Sequence, residues 1–377
     1  MKKLNDVPQK SEDTILDILQ LVRSENVSSK LFYELINFFG SAKVALENIA
    51  EFSLRGGKNK AINICSKELA EKELYTVKAN GAFLISYNNS SYSKMLLNIY
   101  DPPPILTCVG DKRLLNMTSV ALVGARNASA NGLAFTKKIV QELSANGLVI
   151  SSGLARGIDT QAHWASLPNT IAVIAGGIGN IYPPENKELY AKIAKQGLII
   201  AELPYKTAPL AQHFPQRNRI ISGLSSVVVV IEAGLQSGSL ITAKFALEQG
   251  REVMAMPGFP LDPRSSGTNK LIKSGAAIVE SASDIINNLP KLQYQQNEFE
   301  DNSKNIFILP EDFNFNKISS QDRKKVYSAL SNTPTDIISI AKYSEISVVI
   351  INVIILEFEL AGKIIRYPNN KIALLYK

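Results

Sequence analysis

Short apolar runs alternate with longer helical patterns through the middle of the chain. The runs are rich in valine and isoleucine, and near-continuous β-branched runs are typical of strands buried on both faces of a sheet. Seven of them occur, at residues 120–123, 148–150, 170–174, 198–201, 227–231, 253–255 and 277–279. Helical patterns lie between them, for example at residues 132–145, 185–196 and 239–249. This alternation predicts an α/β fold with a doubly wound parallel sheet.

The two ends of the chain carry a different pattern. Residues 14–22 and 30–39 have apolar positions at helical spacing, and Gly40 ends the second of these helices. Near the other end, two short strand patterns flank the Pro-Asn-Asn turn at 368–370, which predicts a β-wing. We therefore expect a helical domain at 1–80, the α/β domain at 81–290, a polar linker at 291–317 and a winged-helix domain at 318–377.

Composition narrows the classes of partner. Lys and Arg number 41 against 34 Asp and Glu, a net charge of +7, and residues 111–290 hold 17 of the basic and 12 of the acidic side chains. This basic excess in the α/β segment favours a polyanionic partner. The two cysteines and two histidines exclude a disulfide scaffold and leave little for a metal centre, so we expect no cofactor. Because the most apolar run, 346–356, is too short for a membrane span, we expect a cytoplasmic protein with no membrane partner.

Ligands of an open parallel sheet bind beyond the carboxyl ends of its strands, so the loops there are the candidate site. After the first strand, Gly124 allows a sharp turn, the start of the next helix offers backbone N–H groups to an anion, and Arg126 adds a planar cation suited to phosphate. A tight turn with a solvated arginine explains this loop about equally well. The sequence of this loop matches neither the dinucleotide-binding motif nor the Walker A motif.

The loop after the second strand is rich in glycine and hydroxyl groups. Gly153 and Gly157 free its backbone, Ser152 offers a hydroxyl to phosphate, and Arg156 is a second candidate cation. Asp159 is expected to cap the following helix, since an acid would repel phosphate. His163, on that helix, is expected to be a packed or surface side chain rather than a catalyst.

The segment 206–223, taken as the loop after the fourth strand, combines an aromatic residue with cations. Phe214 precedes Arg217, Asn218 and Arg219, and a ring beside guanidinium groups suits a single-stranded nucleic acid, whose bases stack while its phosphates meet cations. The alternative is that Phe214 packs inward and one arginine pairs with a carboxylate.

A further anion site is predicted after the fifth strand, where Gly238 and Ser239 begin a helix and Lys244 lies just over one turn later. The sequence contains no carboxylate pair with an obvious acid–base role, no metal-ligand cluster and no P-loop. This favours binding over catalysis, and we expect a protein that is not an enzyme.

Several long motifs in these loops resemble the DprA/Smf family of bacterial DNA-processing proteins. They are VGARNASANG (123–132), SSGLARGIDTQAH (151–163), IYPPEN (181–186), FPQRNRIISGLS (214–225), EAGLQSGSLITAKFALEQGREVMAMPG (232–258) and GTNKLIKSGAA (267–277). The resemblance implies an extended Rossmann-like domain that binds single-stranded DNA without being an enzyme. It also implies a homodimer that protects incoming DNA during natural transformation and helps to load the RecA recombinase. The family's DNA pocket would fall on Arg126, Ser152, Gly153, Phe214 and 217–219.

The flanking domains resemble a helix–hairpin–helix and a winged helix, and both depart from a DNA-binding pattern. The hairpin turn at 26–29 lacks glycine, and the supposed recognition helix at 344–362 contains no Lys or Arg. Since groove-reading helices need cations and polar side chains, we expect the latter to serve packing or protein contacts.

Two alternatives use the same kind of fold. One is a nucleotide phosphoribohydrolase-like enzyme, but the position of its catalytic glutamate in the P-G-G-x-G-T-x-x-E signature holds Thr242 when aligned on Gly238 and Ser239. The other is a sensor that binds a small nucleotide in the same phosphate loops.

Overall fold

A computed structural model describes residues 13–289 and 318–375. The described residues divide into two compact units, an α/β unit at 73–289 and a terminal unit that joins 13–72 to 318–375. The linker predicted at 291–317 lies outside the described residues.

The described residues contain fifteen α-helices. In chain order they are α1 (Ile15–Val22), α2 (Ser29–Phe39), α3 (Ala42–Arg55), α4 (Lys67–Ala79), α5 (Lys94–Leu97), α6 (Ala130–Ala145), α7 (Ile158–Ser166), α8 (Lys187–Gln196), α9 (His213–Gly223), α10 (Gly238–Glu248), α11 (Ser266–Lys273), α12 (Ala282–Asn287), α13 (Ser320–Ser328), α14 (Ile337–Ser344) and α15 (Val348–Leu360). The helices predicted at both chain ends and between the strands are confirmed.

Nine strands of the described residues form the sheet of the α/β unit, in the order β1-β2-β6-β5-β4-β3-β7-β8-β9. They are β1 (Phe83–Ser86), β2 (Ile105–Gly110), β3 (Ser119–Val123), β4 (Val149–Ser152), β5 (Thr170–Val173), β6 (Leu198–Ala201), β7 (Val227–Val230), β8 (Glu252–Ala255) and β9 (Ala277–Ile278). The seven predicted strands correspond to β3 through β9 and pair in parallel. Sequence reasoning missed β1 and β2, which pair antiparallel at one edge.

The connections of this sheet create one switch point. From β3 the chain builds β4, β5 and β6 on one side, and it then returns to place β7 on the other side of β3. Helices cover both faces, and all four side chains of β7 are fully buried, as the run of valines predicts. Ligands of open α/β sheets ordinarily bind beyond the strand ends near such a point.

The prediction of a loop at 206–223, after β6, is wrong in its second half, because residues 213–223 form α9. Pro215 lies in the first turn of α9, where a proline's missing N–H breaks no helical hydrogen bond. Ile220 and Ile221 pack into the core, and Arg217 and Arg219 are also buried. Arg217, Asn218 and Arg219 therefore face the protein interior, whereas Gln216 is exposed.

The terminal unit is built from both ends of the chain. Its second half contains α13, α14 and α15 and a three-stranded sheet ordered β10 (Thr335–Asp336), β12 (Lys371–Leu374) and β11 (Ile364–Tyr367). The hairpin predicted around the Pro-Asn-Asn turn is confirmed as the β11–β12 pair. The apolar helix α15 packs against α2 and α3, in agreement with its lack of cations.

Polar contacts also join the two halves of the terminal unit. The side-chain amide of Asn26, in the turn between α1 and α2, donates to the carbonyl oxygen of Leu360 at 2.9 Å. This bond satisfies one of the last carbonyls of α15, which have no partner within the helix. On α15, the fully buried Glu357 accepts two hydrogen bonds of 2.7 Å from the guanidinium of Arg323. Burial raises the pKa of Glu357, and Arg323 opposes that rise.

Across residues 13–289 and 318–375, no single helix is long and apolar enough to cross a membrane. The helices α14 and α15 reach that length and apolarity only as a pair, which is bent by 110°.

Candidate nucleic-acid interface

An open cleft lies at the carboxyl ends of β4 and β5. Four of the predicted site residues line it, and they come from two loops and the first turn of a helix. These four are Arg126, Gly153, Arg156 and Phe214. The rest of the lining is contributed by Leu154, Ala155, Ile174, Ala175, Gly176, Asn180, Tyr182, Pro183 and Pro209. The structure thus brings together the loop after β3, the loop after β4 and the start of α9.

Aromatic rings and a cation meet at the mouth of the cleft. The guanidinium carbon of Arg126 lies 5.5 Å from the centroid of the Phe214 ring, within cation–π distance. The ring of Tyr182 meets Phe214 at 5.6 Å in an edge-to-face arrangement, and 45% of Tyr182 is exposed. Sequence reasoning did not select Tyr182, although the IYPPEN motif that contains it was noted. Two rings and an exposed arginine are therefore available to a ligand with stacking faces and negative charge.

A second cation stands at the edge of the cleft and has a carboxylate partner. Nη2 of Arg156 lies 2.5 Å from Oε1 of Glu185, and more than half of each side chain is exposed. The pKa of Glu185 is lowered first by a hydrogen bond from its own backbone N–H and also by the charge of Arg156. An exposed pair of this kind is weak, so a phosphate can compete with Glu185 for Arg156.

Arg217 is buried beside the cleft and is not part of its lining. Its Nη1 donates to the carbonyl oxygen of Gly153 at 2.6 Å and to that of Val173, which joins the ends of β4 and β5. Asp159 accepts from the backbone N–H of Gly153 at 3.0 Å. A Cβ on Gly153 would lie 2.6 Å from Nη2 of Arg217, so this position has no room for a side chain. Arg217, for which a direct contact with DNA is predicted, is thus buried and bonded to backbone carbonyl oxygens in this structure.

Burial and the charge of the neighbouring group shift the pKa values of Arg217 and Asp159. Desolvation lowers the pKa of Arg217 to about 10, and the charge of Asp159 opposes that change. Desolvation raises the pKa of Asp159, opposed by Arg217 and by the backbone N–H groups of Ala155 and Gly153. Arg217 remains a cation at neutral pH, and the carboxyl group of Asp159 lies beside it beneath the cleft. The predicted cap role of Asp159 is wrong, because Gly157 is the N-cap of α7.

Arg219 and Asn218 also face the interior. The guanidinium of Arg219 lies 2.5 Å from a carboxylate oxygen of Glu202 and 3.1 Å from one of Asp101. These two carboxylates raise the pKa of Arg219 against the effect of its burial. Asn218 donates to the carbonyl oxygen of Gly238 at 3.2 Å. The alternative in which an arginine of this segment pairs with a carboxylate therefore holds for Arg219.

Ser152, Gly124 and Gly157, which are predicted to cradle phosphate, make packing contacts in this structure. The hydroxyl of Ser152 is buried and donates to the carbonyl oxygen of Leu122 at 2.6 Å. Gly124 lies against the side chain of Ile158, and Gly157, at φ 73°, lies against the carbonyl oxygen of Ala125. These contacts hold the loops after β3 and β4 together and leave the hydroxyl of Ser152 turned away from the cleft.

The last three predicted residues lie apart from the cleft lining. Gly238 and Ser239 begin α10, and the hydroxyl of Ser239 is bonded to that of Ser237 at 2.7 Å. Lys244 is exposed on α10, and its Nζ lies 3.7 Å from a carboxylate oxygen of Glu248. The anion site predicted at this helix start is therefore not part of the cleft.

The histidine on α7 is part of the protein interior. His163 is fully buried, its Nδ1 lies 2.7 Å from the hydroxyl of Thr170, and burial lowers its pKa to about 3. It is the packed histidine that the sequence analysis allowed for. Within residues 13–289 and 318–375, no group of three or more His, Cys, Asp or Glu side chains could hold a metal ion.

Comparison with known proteins gives concordant matches. The sequence model of the DNA recombination-mediator protein A family matches residues 83–290, and that of the DprA-like N-terminal HHH domain matches residues 12–76. DNA processing protein DprA of Bacillus subtilis is 44% identical over 229 residues, which is 60% of this chain and 77% of that protein. Protein Smf of Escherichia coli is 37% identical over 314 residues, or 81% and 80% of the two chains.

Solved structures agree with these matches. DNA processing protein A from Streptococcus pneumoniae superposes with a TM-score of 0.61 at 34% identity, covering 74% of this chain and 99% of that one. DNA processing protein A from Helicobacter pylori, described for its single-stranded DNA binding mode, gives a TM-score of 0.51 at 34% identity, covering 55% and 95%.

Proposed function

Because this chain belongs to the DNA recombination-mediator protein A (DprA/Smf) family, which supports a role in DNA processing and recombination, we propose that it binds single-stranded DNA in the cleft at the ends of β4 and β5. The observation that carries the proposal is the group of Arg126, Phe214 and Tyr182 at the mouth of that cleft. The single-stranded DNA binding of the Helicobacter pylori relative gives it further support.

The proposed mechanism needs two kinds of contact. Bases stack on the rings of Phe214 and Tyr182, and phosphates pair with the guanidinium groups of Arg126 and Arg156. Because every base has a stacking face, such binding tolerates any sequence. No step of this mechanism is a chemical reaction. The protein is accordingly proposed to be a binding protein rather than an enzyme.

The wider role follows from the resemblance to the family. We expect a homodimer in the cytoplasm that protects incoming single strands during natural transformation and helps to load RecA onto them. Of the two alternatives, the phosphoribohydrolase-like enzyme gains no support, since Thr242 is buried within α10. Competition between a nucleotide and an oligonucleotide separates the sensor from the DNA-binding protein.

A fluorescence polarisation titration with oligothymidylate, at several salt concentrations, tests the proposal. If about four to six phosphates are contacted, log K falls against log salt with a slope of roughly −3 to −4. Arg126→Ala is expected to weaken binding about tenfold, as for a lost hydrogen bond to a charged group. The matched control is Lys244→Ala, which removes an exposed cation outside the cleft. Equal losses in the two variants would reduce the site to general charge attraction and refute the proposal.

A further inference from the structure

A carboxylate of the chain itself lies at the N-terminus of α6. Oε2 of Glu232 accepts the backbone N–H of Ser129 at 2.9 Å, and Oε1 accepts the Ser129 hydroxyl. The same hydroxyl oxygen accepts the N–H of Gly132 at 2.9 Å, which makes Ser129 the N-cap of this helix. A negative charge at this point is stabilised because the first N–H groups of a helix carry partial positive charge.

The fit around this carboxylate is close. Glu232 is only 4% exposed, and a Cβ on Gly132 would lie 2.6 to 2.9 Å from the carboxyl carbon and both oxygens of Glu232. Real Cβ atoms do not approach other atoms so closely, so glycine is needed at position 132 for Glu232 to lie here. The carboxylate therefore occupies the space beside the first turn of α6.

Glu232 and the N-terminus of α6 lie at the switch point of the sheet. Glu232 follows β7 and α6 follows β3, and these two strands are neighbours at the switch point of the sheet. Open α/β sheets ordinarily bind a ligand at the switch point, with its phosphate on the N-terminus of the first helix. In this protein the cleft is lined by Arg126 of the loop after β3 and by residues that follow β4 and β5, and neither Glu232 nor Ser129 is part of that lining.

We infer that Glu232 is a specificity-determining residue that occupies the phosphate position at the switch point and thereby rejects free nucleotides and inorganic phosphate. This inference deepens the proposed function, on which it rests, because it explains why the site is open to the backbone of a polynucleotide and closed to a single phosphate. The carboxylate acts in two ways: it fills the space, and it repels a second anion.

Variants at position 232 separate these two effects. Glu232→Ala removes both the bulk and the charge, whereas Glu232→Gln keeps the bulk and removes only the charge. Glu142→Gln, an exposed acid further along α6, is the matched control. Each protein is titrated with inorganic phosphate and with AMP by calorimetry, and the amide resonances of Ser129 and Gly132 are followed by NMR. Oligothymidylate binding is measured on the same samples.

We expect Glu232→Ala to bind phosphate or AMP about tenfold or more tightly than wild type, with shifts at Ser129 and Gly132, as for an anion placed on a helix N-terminus. Glu142→Gln should resemble wild type, and Glu232→Gln should bind phosphate or AMP more weakly than Glu232→Ala but more tightly than wild type, because it keeps the bulk and loses the repulsion. A folded Glu232→Ala that gains no phosphate binding overturns the inference. So does wild-type protein that binds AMP with shifts at Ser129, a result that stays decisive if Glu232→Ala does not fold. All of these proteins, wild type included, should bind oligothymidylate. A wild-type protein that does not bind it would count against the proposed function and not against this inference.

Discussion

The guanidinium of Arg126 lies over the ring of Phe214, although the two residues are separated by 88 positions and belong to different elements. Arg126 follows β3, whereas Phe214 begins α9 after β6. The contact places a stacking surface and a fixed positive charge side by side at the cleft. Each partner can therefore be tested separately, since the ring would serve bases and the cation would serve phosphates.

Removing the ring should weaken DNA binding without changing its dependence on salt. Phe214→Ala is expected to cost on the order of 1–3 kcal/mol of binding free energy, because one base loses its stacking partner. Phe214→Trp should retain most of the affinity. The measurement is polarisation of labelled oligothymidylate at several salt concentrations.

The control for this prediction is Phe259→Ala. Phe259 is 68% exposed and does not line the cleft, so its loss should leave the affinity unchanged. An affinity of folded Phe214→Ala equal to that of wild type would remove stacking at this ring from the mechanism.

Freeing Arg156 from its carboxylate partner should strengthen binding. In Glu185→Gln the arginine no longer forms an ion pair, so a phosphate meets it without competition. We expect the affinity for oligothymidylate to rise about two- to fivefold, a modest gain because exposed ion pairs are weak. Glu188→Gln is the matched control, since Glu188 forms a comparable exposed pair with Lys192 on α8. Equal or weaker binding by Glu185→Gln would show that Arg156 does not contact phosphate.

The parallel part of the sheet could be predicted because its strands have a strong local signal. The run 227–231 is apolar at every position, and a fully apolar short run is what two covered faces require. The antiparallel strands β1 and β2 were missed, since neither follows the strand–helix alternation from which the fold was inferred. Their pairing depends on the contact of β2 with β6, about 90 residues later in the chain.

The candidate site could be predicted only in part, for a similar reason. Loops at the carboxyl ends of parallel strands share one edge, which correctly brought Arg126, Arg156 and Phe214 to the same cleft. The inward direction of Arg217 depends on the carbonyl oxygens of Gly153 and Val173, which lie 64 and 44 positions away. Composition cannot show whether an arginine meets such carbonyls or a phosphate.

The buried His163 should make stability depend on pH. Its pKa is about 3 in the folded protein against 6.5 in the unfolded chain, so the unfolded state binds the extra proton between these values. The contribution of the neutral ring is complete above pH 6.5 and is lost as the pH falls toward 3. Between pH 7.5 and 5.5 this loss is about 1.4 kcal/mol.

Comparison with His163→Gln isolates this contribution from that of the carboxylates, whose titration is common to both proteins. Urea unfolding at the two pH values is the measurement. The wild-type protein should lose about 1.4 kcal/mol more than the variant over this range. Equal losses would mean that the histidine is not buried in its neutral form.

The two halves of the terminal unit should respond together when their shared core is damaged. In Arg323→Ala the carboxylate of Glu357, on α15, stays buried without its partner from α13. This loss lowers the free energy of unfolding by about 3–5 kcal/mol. Because α15 packs against α3, amide hydrogen exchange should accelerate in α3 as well as in α13 and α15 of the full-length variant. Lys324→Ala, at the neighbouring exposed position, should change neither. Faster exchange confined to residues 318–375 would show that the two ends of the chain fold independently, against the packing described here.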